Sequence, residues 1–216
     1  MSDRKDELDR EAALNRARKA REWDNEHRQL LHKAYTHEGT GDFGKYYALA
    51  VARLMNFMVL WGHEDVEAAL IRVERSALYG CQEPPSRAEM DLLAHVREVT
   101  DHVNAIGEAY SLERGRLMLD QPPLRFAERP EKQEDDFLSY FRLWGYENVL
   151  QGLRTALRRA AFWQQDPEVY ERDQAALICV DELVDRLQLC CYNWYLDTPL
   201  EEQKEEKQRR KKAAKA

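Results

Sequence analysis

Residues 60–84 read LWGHEDVEAALIRVERSALYGCQEP, and residues 143–167 read LWGYENVLQGLRTALRRAAFWQQDP. Laid together without a gap at an offset of 83, ten of the 25 positions are identical, among them Leu60/Leu143, Trp61/Trp144, Gly62/Gly145, Glu64/Glu147 and Val66/Val149. Chance would give roughly one or two at ordinary residue frequencies. One inserted residue later, an offset of 84 pairs Val96 with Val180, Glu98 with Glu182, Asp101 with Asp185 and Leu112 with Leu196. This self-similarity predicts an internal duplication. Each copy reads helix, glycine break, helix, proline turn, helix. A unit of about 60 residues made of helical pieces buries little apolar surface alone, so the two copies should pack together.

The third helix of the first copy supplies the packing pattern. Leu92, Val96, Val99, Val103, Ile106 and Tyr110 recur every three or four residues, a stripe suited to antiparallel bundle packing. Val180, Leu183, Leu187, Cys190 and Trp194 form the matching stripe. No alternating β-branched run asks for a strand. The expected fold is therefore all-α: a helical bundle built from a duplicated unit, spanning 45–197, with copies at about 53–113 and 136–197. Residues 114–135 join the copies, and their three prolines exclude one continuous helix.

Charged extensions flank this body. Of 216 residues, 34% are charged, and the net charge is −7. Residues 1–35 read as a charged helix of net +1, and residues 198–216 as a charged tail with no fold of its own. The last sixteen residues carry +3, which leaves a body of −11 between residues 36 and 200. An acidic body repels phosphate backbones, so nucleic-acid contact is expected only at the ends. The candidate is KQRRKKAAK, residues 207–215, which holds Lys207, Arg209, Arg210, Lys211, Lys212 and Lys215 and no acidic residue. These six are the candidate partner-binding residues, for an acidic protein surface or for nonspecific nucleic acid. No apolar run reaches the ~18 residues of a membrane helix. The opening MSDRKDELDR lacks the apolar core of a signal peptide, and the four cysteines form no disulfide framework or CxxC metal pattern. A cytoplasmic, non-membrane protein is the expectation.

Carboxylates offer the one candidate for metal chemistry. Glu64-x-x-Glu67 followed by Glu98-x-x-Asp101 resembles the ExxE…ExxD pattern of the all-α, MazG-like nucleotide pyrophosphohydrolases. The resemblance covers about 40 residues, and it implies Mg²⁺ held by these four carboxylates against a nucleoside triphosphate. Two features of the chain depart from the pattern. Leu150 replaces Glu67 in the second copy, and the seam rotates Glu98 and Asp101 toward solvent, whereas metal carboxylates of a bundle point inward. Asp91, His95, Glu98 and His102 share one flank, but histidines seven residues apart on a helix stand about 10 Å apart, too far to chelate one ion together. The repeated LWG reads as a packed corner, with an aromatic ligand pocket as the competing reading. Nothing in the chain assembles a nucleophile, a phosphate loop or an HExxH. The leading expectation is a non-enzymatic helical interaction protein (an adaptor, inhibitor or assembly factor) with no cofactor, and the Mg²⁺-dependent pyrophosphohydrolase and the tail-driven nucleic-acid accessory protein are its alternatives.

Overall fold

In the computed structural model, the described residues are 43–81, 83–119, 121–122, 124–162 and 167–197, together with scattered positions between 11 and 25. Six α-helices are described: α1 (Phe43–Trp61), α2 (His63–Tyr79), α3 (Arg87–Met118), α4 (Pro130–Trp144), α5 (Tyr146–Phe162) and α6 (Pro167–Asp197). A 3-10 turn, Phe126–Glu128, precedes α4, and no strand occurs among the described residues. None of the described helices is long and apolar enough to cross a membrane. The fold is an all-α bundle.

Two glycines divide the helices where the LWG motifs stand. Gly62 takes φ 85 and ψ 131, and Gly145 takes φ 88 and ψ 123. A side chain at either position would be strained, because this region of backbone space is open almost only to glycine. Each glycine closes one helix and opens the next. The Gly62 N–H donates to Met58 O at 2.9 Å, while Gly62 O accepts from the Val66 N–H at 3.1 Å. The Gly145 N–H likewise donates to Phe141 O at 2.8 Å, and Gly145 O accepts from the Val149 N–H at 3.2 Å. The helices that follow are both 17 residues long, and the long helices after them have 32 and 31.

Packing crosses between the halves. Helices α2 and α5 lie against each other at the centre, and α3 and α6 each touch both of them. Helix α1 packs along α6, and α4 packs along α3, so the opening helix of each half lies on the long helix of the other. The core fills from all six: Leu54, Phe57 and Met58 of α1, Leu70 and Val73 of α2, Val96, Val99 and Val103 of α3, Phe137 and Phe141 of α4, Leu153 of α5, and Val180, Leu183 and Leu187 of α6 are buried. Along α3 the seam is rotated from the expected stripe at both ends. Leu93 and Ala109 are buried, whereas Leu92 is half-buried and Tyr110 is exposed. At the Leu92 end α5 crosses closely, because Gly152 of α5 meets α3 there: a Cβ built on Gly152 would stand 2.3 Å from Leu92 O. Backbone, not a leucine side chain, fills that contact.

The connection between the halves is shorter than the proline count suggests. Helix α3 runs on to Met118, and Pro130 opens α4 from its first turn, where the missing N–H is not needed. Helix α3 itself starts with a reciprocal cap that the sequence carries as Ser86-x-x-Glu89. The Ser86 N–H donates to Glu89 Oε2 at 2.9 Å and the Glu89 N–H donates to Ser86 Oγ at 3.3 Å. The Ser86 N–H and the Ser86 hydroxyl, which also donates to Glu89 Oε2 at 2.9 Å, hold the Glu89 carboxyl below its usual range.

Candidate functional site

The four carboxylates of the ExxE…ExxD pattern do not gather. Glu64, Glu98 and Asp101 are exposed and Glu67 is half-buried. Among the described residues, no group of three or more His, Cys, Asp or Glu side chains is placed to hold a metal ion. The six tail residues from Lys207 to Lys215 lie outside the described residues. The thiols of Cys179, Cys190 and Cys191 are buried, and burial pushes the Cys190 thiol up to about 12 and that of Cys179 higher still, so those two stay protonated. Cys81 is half-buried and carries a raised thiol as well, its S–H facing Ala77 O at 3.7 Å.

The two LWG corners are where the chain brings distinctive side chains together. At the first corner Trp61 is 4% exposed and packs on Phe57 with ring centroids 5.8 Å apart. Part of its cover comes from the charged N-terminal segment, whose described positions are helical. The Arg16 guanidinium lies 5.7 Å from the centre of the Trp61 ring and pairs with Asp65. A cation seated on an aromatic face while bound to a carboxylate uses both its charge and its flat shape. At the second corner Trp144 is 42% exposed, with Leu143 at 48% beside it. The Trp144 ring meets the His95 ring edge-on at 5.8 Å, and His95 Nδ1 lies 2.6 Å from the Tyr140 hydroxyl. Asn148 stands where Asp65 would be and turns back to its own helix, donating to Trp144 O at 3.0 Å.

The helix pairs beside these corners carry different charges. Between α1 and α6, Arg53 pairs with Asp185 at 2.7 Å. Arg186, only 1% exposed, binds Glu182 and lies 4.9 Å from the centre of the Phe57 ring. Between α3 and α4 the corresponding place is held by His102, whose ring centre is 5.1 Å from that of Tyr140. Burial lowers the pKa of His102, against the opposing pull of Glu98, Asp136 and Asp101. Burial also lowers His95 against Glu98, and lowers His63, which stacks on Tyr110 at 5.4 Å. Both histidines of the α3 flank thus lean on aromatic rings of α4 and sit neutral.

A buried arginine ties the halves together, and sequence reasoning passed over it. Arg159 of α5 donates to Ala77 O at 2.9 Å and to Glu83 O at 2.8 Å, and its Nη1 lies 3.4 Å from Glu89. Its sequence counterpart, Ser76 of α2, donates to Asp173 of α6 at 3.1 Å, and Asp173 is the counterpart of Glu89. Arg159 follows another arginine in a charged helix, so only the placement of α5 against the α2–α3 turn distinguishes it from a solvated residue. Arg16 was equally hidden among the N-terminal charges. Compared with known protein-family models, with curated proteins and with solved structures, the chain matches none.

Proposed function

We propose that this chain is a non-enzymatic interaction protein, an adaptor, inhibitor or assembly factor, that presents helical surfaces to a protein partner. One observation carries the reading: large apolar side chains stand exposed along the end of α3 and into the turn that follows it. Leu112, Leu117 and Met118 of α3, Leu119 just after it and Phe126 of the 3-10 turn are each more than half exposed. Water-facing apolar side chains this dense along one short stretch of chain are uncommon on a surface that binds nothing. The acidic body favours a partner with basic or apolar contact groups over a phosphate backbone. The pyrophosphohydrolase reading needs Glu64, Glu67, Glu98 and Asp101 to converge on one ion, and nothing in their placement favours it.

The duplication belongs to the same reading. The matched glycines, the matched helix lengths and the reciprocal packing of α1 on α6 and α4 on α3 support descent from a doubled helical unit. Doubling offers two related surfaces in one chain, and an interaction protein can let them diverge. The test is a crosslinking capture from native lysate with wild-type protein and with Leu117→Glu/Phe126→Glu. A partner retained by the wild type and lost by the double variant supports the reading. An ideal monomer that captures nothing in either form refutes it.

A further inference from the structure

The first LWG corner displays its own occupant. Arg16 covers Trp61 with its guanidinium and pairs with Asp65. Beside it stands Cys179 on α6, close enough to feel both Arg16 and Asp65. The second corner has the same backbone turn, the same tryptophan and a glutamate, Glu147, where Glu64 stands. It has His95 in place of Cys179, and the exposed Glu98 acts on that histidine. Two things differ. Trp144 and Leu143 face solvent, and Asn148 has replaced the carboxylate that holds Arg16.

We propose that the Trp144 corner is a docking site for a basic amphipathic helix of a partner protein, which lays an arginine over Trp144 as Arg16 lies over Trp61. The inference rests on the reading of the chain as an interaction protein and names one of its surfaces. Charge complementarity selects the occupant. The rim is acidic, with Glu147 on α5 and Asp91 and Glu98 on α3 all exposed, and His95 sits neutral beside the ring. An arginine suits such a place, because it keeps its charge while stacking on indole. A lipid or phosphate would meet carboxylates. Asn148 lacks the carboxylate by which Asp65 holds Arg16, so the second corner should hold such an arginine more weakly than the first.

The probe is a fluorescein-labelled peptide of residues 3–35, whose Arg16 occupies the first corner, titrated into the full chain and followed by anisotropy. Binding should weaken roughly fivefold to tenfold with Trp144→Ala, the value of an arginine–indole contact. An Arg16→Leu peptide should lose a similar factor, and Glu147→Lys, at an exposed position, should weaken binding without touching the core. Asn148→Asp restores the missing carboxylate and should strengthen binding about threefold, as a surface ion pair does. Saturable binding that is indifferent to Trp144→Ala and Glu147→Lys overturns the proposal, since the peptide is then exchanging at the first corner. Absence of binding by the wild type and by Asn148→Asp overturns it as well. If binding appears only after removal of residues 198–216, the occupant is the chain's own tail, and if light scattering shows self-association that Trp144→Ala abolishes, it is a second copy. Either outcome overturns the partner assignment. The broader reading fails separately: a crosslinked partner that survives Trp144→Ala but not Leu117→Glu/Phe126→Glu sinks only the corner.

Discussion

The Trp61 and Trp144 corners have nearly the same backbone and opposite surroundings. Both turn on a glycine with φ close to 90°, both carry a tryptophan just before it, and both open a 17-residue helix. Trp61 lies under Arg16 with a carboxylate to hold the arginine, whereas Trp144 faces solvent beside a histidine. The backbone turn is fixed by glycine conformation and by the helix caps it supports, so it tolerates change in its neighbours. The surroundings differ in single side chains, Asp65 against Asn148 and Cys179 against His95. A repeated motif therefore predicts a repeated turn, not a repeated use.

The contrast can be broken most forcefully at the tryptophans themselves. Trp61→Ala should cost about 3–5 kcal/mol, as for a buried aromatic, while Trp144→Ala should cost about 1 kcal/mol because its ring is already partly hydrated. Urea midpoints for the two variants read the difference, and equal losses would mean the corners are buried alike in solution. Next comes the contact between central and long helices. Gly152→Ala forces a methyl group into Leu92 O and should cost about 2–3 kcal/mol. At the matching position of α2 an alanine already stands, and Ala69→Gly should cost only about 1 kcal/mol through helix propensity and lost burial.

The polar ties between halves should follow in the same order as their hydrogen bonds. Arg159→Ala removes donors from two carbonyls and a partner from Glu89, and should cost about 2 kcal/mol; Ser76→Ala loses one bond to Asp173 and should cost about 1 kcal/mol. Thermal midpoints would test the ranking. The smallest effect is a pH slope confined to one half. Burial lowers the pKa of His95 and His102 on α3, so the unfolded chain binds protons first as pH falls through about 6.5. Stability should then decline from pH 7 towards the folded pKa values. Replacing both histidines with glutamine should flatten that slope, while His63 keeps its own share.

The bundle was legible in the sequence because two of its signals are physical necessities. A helix buried on one side must repeat apolar residues every three or four positions, and Val96, Val99, Val103 and Ile106 do so and are all buried. A chain that reverses within one residue needs a glycine, and Gly62 and Gly145 are there. Where the reading drifted at Leu92, the position is taken by the close approach of Gly152, a contact between distant segments that no local period encodes. The corner was singled out, but its asymmetry was not. Exposure of Trp144 depends on which segment lies over it, and Arg16 stands 45 residues from the tryptophan it covers. The ExxE…ExxD carboxylates illustrate the converse: spacing along two helices places residues on a face, and only the crossing of those helices decides whether the faces meet.

The placement of α1 on α6 and α4 on α3 has a consequence for how the chain responds to being cut. Nicking at residues 119–125, between Met118 and the 3-10 turn, severs the covalent link between the halves without freeing either one. Each fragment would leave behind the helix that covers its partner's longest core face, and both would expose Val96, Val103, Leu183 or Leu187 on parting. The nicked protein should therefore migrate as one species under native conditions and separate only in denaturant, and the two fragments expressed apart should regain their helicity on mixing.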